Sequence, residues 1–331
     1  MNKKALVVCA ALSGCFFIAL SAAARPQLKK DPEMAAIPDR VPLKLRYGIG
    51  DRLFYRLTRL NNNFRIDGTK AGEQRVVAYF TRVRLPDDSQ GRAQERFTWK
   101  SFQFGQSLTA APAKLMVFQA AENFSLVYSV NEELAIEKYD FSSLPRTMDG
   151  FMFMVLSWDA VTFDGLARPT PALAIPDEAP IGAEFEDKTG PRDFRFSFPP
   201  LATDSKYSFS GKGWVKLVGL SRVRGIPCAL MQAGQMENRV EMNLHFKPLE
   251  IVMRGFEHFW AQTYLSLEDG RIVRGELVGP VAMTQDMQTA GREKPEHSEL
   301  LTIGYLEMDL LSEAEFQSAV DKIKGSAPPQ E

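Results

Sequence analysis

Phe259-Trp260-Ala261-Gln262-Thr263-Tyr264-Leu265-Ser266-Leu267, then Glu268-Asp269-Gly270, then Arg271-Ile272-Val273-Arg274-Gly275-Glu276-Leu277-Val278 reads in order as strand, turn and strand. Asp-Gly between two apolar runs is a hairpin signal, because Gly tolerates the positive φ that a tight turn demands. The reading extends in both directions. Downstream, Leu300–Leu310 is expected to be a last strand, and Ser312-Glu313-Ala314-Glu315 has the S-x-x-E spacing of a capping box. Phe316, Val320 and Ile323 then fall on one helical face over 312–324, with Gly325 as the stop and 326–331 as a tail. Upstream, Phe194–Phe198, Tyr207–Leu217, Cys228–Ala233, Arg239–Phe246 and Leu249–Met253 read as further strands separated by turns containing Gly, Pro or Asn.

The best boundary in the chain is the Pro-rich stretch 168–180, which opens Arg168-Pro169-Thr170-Pro171. Beyond it Ile181-Gly182-Ala183-Glu184-Phe185 echoes Ile49-Gly50-Asp51-Arg52-Leu53. This supports two β-rich halves, 43–167 and 181–325. In the first half Leu53, Tyr55 and Leu57 alternate with Phe54, Arg56 and Thr58, and Val77, Tyr79, Thr81, Val83 and Leu85 with Ala78, Phe80, Arg82 and Arg84. Phe97 and Trp99 lie on one parity and Phe102 and Phe104 on the other, which predicts a bulge near Lys100-Ser101. Lys114–Gln119 and Phe124–Val130 are expected strands, with a turn over Ala120–Asn123. Met148–Val161 breaks the period of two: Met148, Phe151, Met152, Val155 and Leu156 recur at helical spacing, while Phe153, Met154 and Trp158 make the other side apolar. Such a helix belongs in an interior, although a pair of core strands stays open as the rival reading. The expected fold class is mainly β: curved antiparallel sheets or an incomplete barrel in two halves, with a buried helix near 148–161 and a C-terminal helix near 312–324.

The N-terminus reads as an address. Lys3 and Lys4 precede an uncharged stretch from Ala5 to Ala24, and Ala22 and Ala24 supply the small residues of an A-x-A cleavage site. Cleavage after Ala24 would leave 25–42, with Pro26, Pro32, Pro38 and Pro42, as a tether. Two rivals remain open: Leu12-Ser13-Gly14-Cys15 spells a lipobox with Cys15 as the lipidated residue, and about 20 apolar residues can also anchor uncleaved. No later run reaches transmembrane length, so no span is expected after processing. The expected location is exported, periplasmic or extracellular, or lipid-anchored through Cys15. Removal of Cys9 and Cys15 with the leader leaves Cys228 alone, unable to form an internal disulfide and expected to be a buried small hydrophobe.

Across 331 residues, 40 Lys+Arg balance 41 Asp+Glu, which gives no electrostatic case for nucleic acid. A hydrophobic content of 45% excludes a disordered chain. There is no G-x-S-x-G elbow, P-loop, dinucleotide fingerprint, C-x-x-C or H-E-x-x-H, and no cofactor is expected. His245, His258 and His297 could recruit Glu241, Glu257 or Glu299 to a metal, but no short motif ties two of them together, so structural roles are expected. In Glu257-His258-Phe259-Trp260 a strand would put Glu257 and Phe259 on one face and His258 and Trp260 on the other. Carboxylate pairs such as Asp159/Asp164 or Glu268/Asp269 would suit glycoside hydrolysis only at the right separation.

Trp214-Val215-Lys216-Leu217-Val218-Gly219-Leu220, Gly225-Ile226-Pro227-Cys228-Ala229 and Tyr264–Val273 together resemble exported bacterial β-meander proteins, including the lipoprotein-carrier (LolA-like) group. The resemblance covers the second half. It implies a curved antiparallel sheet closed by helices, with an apolar concavity able to take acyl chains. The leading expectation is therefore a non-catalytic exported β protein that binds a lipid, another hydrophobic ligand or an envelope component. Phe151, Phe153, Met154 and Trp158 are the expected lining, and His258 and Trp260 a second candidate ligand face. An envelope structural or assembly partner and an exported hydrolase acting on glycan or lipid are the alternatives.

Overall fold

The computed structural model describes residues 39–117, 124–129, 144, 148–167, 175–186, 192–199, 202–246, 249–291 and 294–325. Ala24, Cys15 and the turn expected at Ala120–Asn123 lie outside the described residues. Twelve strands form one antiparallel sheet. In chain order they are β2 (Arg52–Phe64), β3 (Lys70–Leu85), β4 (Gln94–Ser107), β5 (Met116–Val117), β6 (Ser125–Ser129), β8 (Glu184–Glu186), β9 (Arg192–Phe198), β10 (Ala202–Val223), β11 (Ile226–Phe246), β12 (Leu249–Ser266), β13 (Ile272–Thr289) and β14 (Glu296–Leu311). Their spatial order is β5-β4-β3-β2-β14-β13-β12-β11-β10-β8, with β6 also on β4 and β9 also on β10. Among the described residues no ladder joins the two edges, so the sheet is not closed into a barrel. A separate two-stranded ribbon pairs β1 (Val41–Pro42) with β7 (Glu178–Ala179), which ties the end of the expected tether to the end of the Pro-rich stretch. Helix α1 spans Met148–Gly165 and helix α2 spans Glu313–Gly325.

The last strand of the second half, β14, pairs with the first long strand of the first half, β2, from Leu301↔Phe64 to Leu311↔Phe54. The sheet thus runs through the join as one meander. Its inner face is a single apolar cluster that includes Tyr55, Phe80 and Trp99 from one side and Met231, Met253 and Val281 from the other. A sheet this wide with one buried face must curl to shield it.

Period two holds along β2, where Leu53, Tyr55 and Leu57 are buried and Phe54, Arg56 and Thr58 are not fully so. The bulge expected near Lys100-Ser101 is present: the register passes from Tyr79↔Ser101 to Phe80↔Trp99, leaving Lys100 unpaired in the ladder. The second-half strands differ from expectation in length. Cys228–Ala233 and Arg239–Phe246 are one strand, β11, and Leu249–Met253 and Phe259–Leu267 are one strand, β12. The Gly and Asn residues taken as turns lie inside the ladders, where they admit bulges and close contacts. The helix expected at 148–161 is α1. Every described side chain of it except Asp159 is buried, as an all-round apolar sequence requires.

Helix α2 covers the outer face, where Phe316, Val320 and Ile323 pack with Tyr79. Its capping box is formed. The Ser312 amide donates to Glu315 Oε2 at 2.8 Å, and the Glu315 amide donates to Ser312 Oγ at 3.3 Å.

The Glu268-Asp269-Gly270 hairpin tip is held by the N-terminal segment, whose Arg46 amide donates to the Asp269 carbonyl at 2.8 Å. Gly270 has φ 72°, and a Cβ there would lie 2.3 Å from the Lys44 carbonyl oxygen. Gly270→Ala is therefore expected to cost about 2 kcal/mol or more, from the left-handed backbone and the displaced Lys44 together. Urea titration of the variant checks this, and an unchanged midpoint would refute it.

Candidate ligand-binding site

The cross-strand register defines rows of side chains on the inner face. One row runs Asn238, Glu257, Val281, Thr302 and Asn63 through β11, β12, β13, β14 and β2. An adjoining row carries Gly304, Asn61, Gln74 and Gln106. These rows make a polar belt across the inner face, with Asn61, Gln74, Asn238, Glu257 and Thr302 all buried.

On one side of the belt, β11, β12 and β13 supply Met242, Met253, Met283 and Met287, with Leu244, Ile251 and Phe246 beside them in the same buried cluster. Unbranched thioether side chains adapt to irregular partners, so such a surface can pack against apolar chains of different shape. On the other side lies α1. Phe153 packs on Phe102 with ring centroids 4.6 Å apart, and Trp99 Nε1 donates to Ser157 Oγ at 3.1 Å. Arg59 of β2 pairs with Asp159 of α1 at 2.5 Å, and burial raises the Asp159 acid even beside that guanidinium. The Phe163 ring lies against Gly275 of β13, where a Cβ would come within 2.7 Å of it.

Glu257 is the centre of the belt. It is 0% exposed. Its Oε2 accepts hydrogen bonds from Tyr207 Oη at 2.9 Å and from Asn238 Nδ2 at 3.0 Å. Among the described residues its Oε1 has no partner, and neither has Asn238 Oδ1. Burial raises the Glu257 acid well above its ordinary value of 4.5, opposed by those two hydrogen bonds.

A bulge in β11 aims Asn238 at this point. The register passes from Gln235↔Phe259 to Asn238↔Glu257, so β11 carries one residue more than β12. The extra residue moves the inward parity from Met231, Ala233 and Gln235 to Asn238, Val240 and Met242. Glu237 adopts φ 55° within the bulge, and its amide donates to His258 Nδ1 at 3.2 Å.

The residues expected to line a site divide between the two faces. Phe153 and Met154 are buried on α1, with Phe153 committed to Trp99 and Phe102. Phe151 and Trp158 are on the same helix, but their side chains lie outside the described residues. His258 and Trp260 are on the outer face of β12, opposite Glu257, as their parity in the sequence implies. The structure therefore does not bring them together with the helix. His258 holds the bulge, while Trp260 stands in register with Gly234, whose missing side chain is replaced by the Trp214 indole.

Each of the other histidines has its own partner. His245 lies 3.7 Å from Glu250 and His297 2.7 Å from Asp286. Among the described residues no group of three His, Cys, Asp or Glu side chains is placed to hold a metal. The Cys228 thiol is pushed up to about 12 by burial, which suppresses the reactive thiolate. Asp159 is engaged by Arg59, and Asp269 lies beside Arg271 at the hairpin tip.

Among the described residues no helix is long and apolar enough to cross a membrane. No family model matches the chain, and no curated protein matches it. Several solved structures are similar over most of their length. DynF from the dynemicin biosynthesis pathway of Micromonospora chersina is 8% identical, with 90% of this chain and 94% of that one covered and a TM-score of 0.22. A DUF1329 family protein from Desulfovibrio piger is 11% identical over 82% and 92%, at 0.15. The outer membrane protein OmpT of Vibrio cholerae is 10% identical over 80% and 100%, at 0.18. These TM-scores carry no argument about ligand or activity.

Proposed function

We propose that this chain is a non-catalytic, exported, β-rich protein that binds a lipid or comparable amphiphile on the inner face of its sheet. Export is read from the basic start, the uncharged stretch 5–24 and the Ala22-x-Ala24 pattern. The apolar part of the ligand would lie along the Met-rich surface of β11–β13, and its polar end would reach the belt at Glu257. Helix α1, which carries Phe151, Phe153, Met154 and Trp158, would bound the other end of that space. The observation that carries the reading is Glu257, a fully buried carboxyl in the middle of the polar belt, with one oxygen that has no partner among the described residues. An unmet buried hydrogen-bonding atom costs stability, and the polar end of a ligand would relieve that cost here.

Native mass spectrometry of the mature chain after mild extraction tests the proposal. Adducts in the mass range of lipids are expected, and they should return when a delipidated sample is mixed with total lipid extract. A delipidated monomer that takes up nothing would overturn it. A stoichiometric protein partner with no lipid would favour the assembly role instead.

A further inference from the structure

We infer that His258 is a proton-operated latch on the β11 bulge, which carries a change of pH at the outer face of the sheet through to the Asn238–Glu257 contact on its inner face. The inference stands on the geometry of the bulge and does not depend on what the inner face binds. Consecutive residues of β12 grip consecutive residues of β11. On the outer face the Glu237 amide donates to His258 Nδ1 at 3.2 Å, and on the inner face Asn238 Nδ2 donates to Glu257 Oε2 at 3.0 Å. Between these two grips the backbone passes through Glu237 at φ 55°, a left-handed conformation that a residue other than Gly adopts at a cost. Strand β10 makes room for the bulge: its own register slips between Ser210 and Lys212, and a Cβ at Gly211 would lie 2.9 Å from Asn238 Cα.

A backbone amide can only donate, so His258 Nδ1 bears a lone pair and the ring carries its hydrogen on Nε2. A proton taken up by this ring therefore goes to Nδ1. The imidazolium donates from both nitrogens and accepts at neither, so proton uptake and the Glu237 hydrogen bond exclude each other. Histidine is the side chain that ordinarily changes charge in the range around neutrality. His258 is only part-buried, which leaves it open to protons from solvent. Among the described residues the charged side chains around it are Glu237 and Arg239 on β11 and Lys212 on β10, in register with Met236. Strand β13 presents Val278, Pro280 and Ala282 to it, none of them titratable, and its outward neighbours on β12 are Phe256 and Trp260. The latch is closed while the ring is neutral and opens as pH falls through the imidazole range. Once open, the strained turn is held only from the inner face, and the placement of Asn238 against Glu257 loosens with it.

NMR of the whole protein with isotope-labelled histidine, glutamate and asparagine tests this, since only 3 imidazoles contribute to the histidine spectrum. The neutral His258 ring is expected to carry its hydrogen on Nε2. Exchange protection of the Glu237 amide, corrected for the intrinsic pH dependence of exchange, should fall about fivefold or more as the ring gains its proton between about pH 8 and pH 5. The Asn238 side-chain signals should shift with the same midpoint. His258→Asn keeps an acceptor that takes up no proton, so protection should persist across the range, whereas His258→Phe should lack it throughout. The wild-type titration needs no variant to fold. A neutral ring with its hydrogen on Nδ1, a ring that gains no proton in this range, or Glu237 protection unmoved through the titration would each overturn the latch. Loss of Glu237 protection with the Asn238 signals unmoved would overturn the coupling across the sheet.

Discussion

Arg82→Met is expected to lose about 3–5 kcal/mol of stability, the usual cost of removing one partner from a fully buried ion pair. Arg82 lies on the inner face of β3, 0% exposed, and its Nε donates to Glu95 Oε2 at 2.7 Å. Tyr128 Oη donates to the same oxygen at 2.5 Å, which ties β3, β4 and β6 through one carboxylate. The guanidinium is enclosed by aromatic rings, with Phe97 at 5.0 Å and Tyr55 and Tyr128 each at 5.6 Å. Removing the cation would leave Glu95 charged and enclosed by apolar surface. The double variant Arg82→Met/Glu95→Leu should recover most of the loss, because a buried pair replaced whole by apolar groups of similar volume is often near neutral. Equilibrium denaturation of both single variants and the double variant gives the coupling directly. Additive losses would show that the two residues act independently.

The arginine was hidden in the sequence because its position is decided by parity alone. Val77–Leu85 alternates cleanly, but nothing in the sequence shows that the face bearing Arg82 is the buried one until Phe80 and Trp99 are seen to lie beside it. The hairpin at Glu268-Asp269-Gly270 was legible because its turn needs a particular backbone that Gly supplies. The slip at Lys100 was legible because aromatic residues mark both parities around it. The long second-half strands read as shorter pieces, since Gly and Asn inside a ladder look the same in sequence as Gly and Asn in a turn. The same slip that revealed Lys100 recurs in β11. Met231 and Ala233 are inward on odd numbers, and Val240, Met242, Leu244 and Phe246 on even ones. That switch was the available signal for the Met236-Glu237 bulge and for Asn238. The face of Glu257 followed from its strand. Its burial depended on three neighbouring strands that local sequence does not specify.

Glu257 should also make the folded state lose stability as pH rises, and Glu257→Gln should remove that loss. In the folded chain burial raises the acid well above 4.5, whereas in the unfolded chain it ionises near that value. Between the two, the folded state holds a proton that the unfolded state has released. The contribution of Glu257 is therefore complete below about 4.5 and declines as pH climbs towards the folded pKa, by about 1.4 kcal/mol per pH unit at most. Other groups pull in the opposite direction. Asp193 and Glu315, for example, are lowered by their hydrogen bonds and add stability above their ordinary values. The wild-type curve alone is thus a sum, and the difference between wild type and Glu257→Gln isolates the one carboxyl. That difference should be flat below pH 4 and should shift steadily in favour of the variant above pH 5. Urea midpoints from pH 4 to pH 9 measure it. Parallel curves throughout would mean that Glu257 ionises normally in the folded chain.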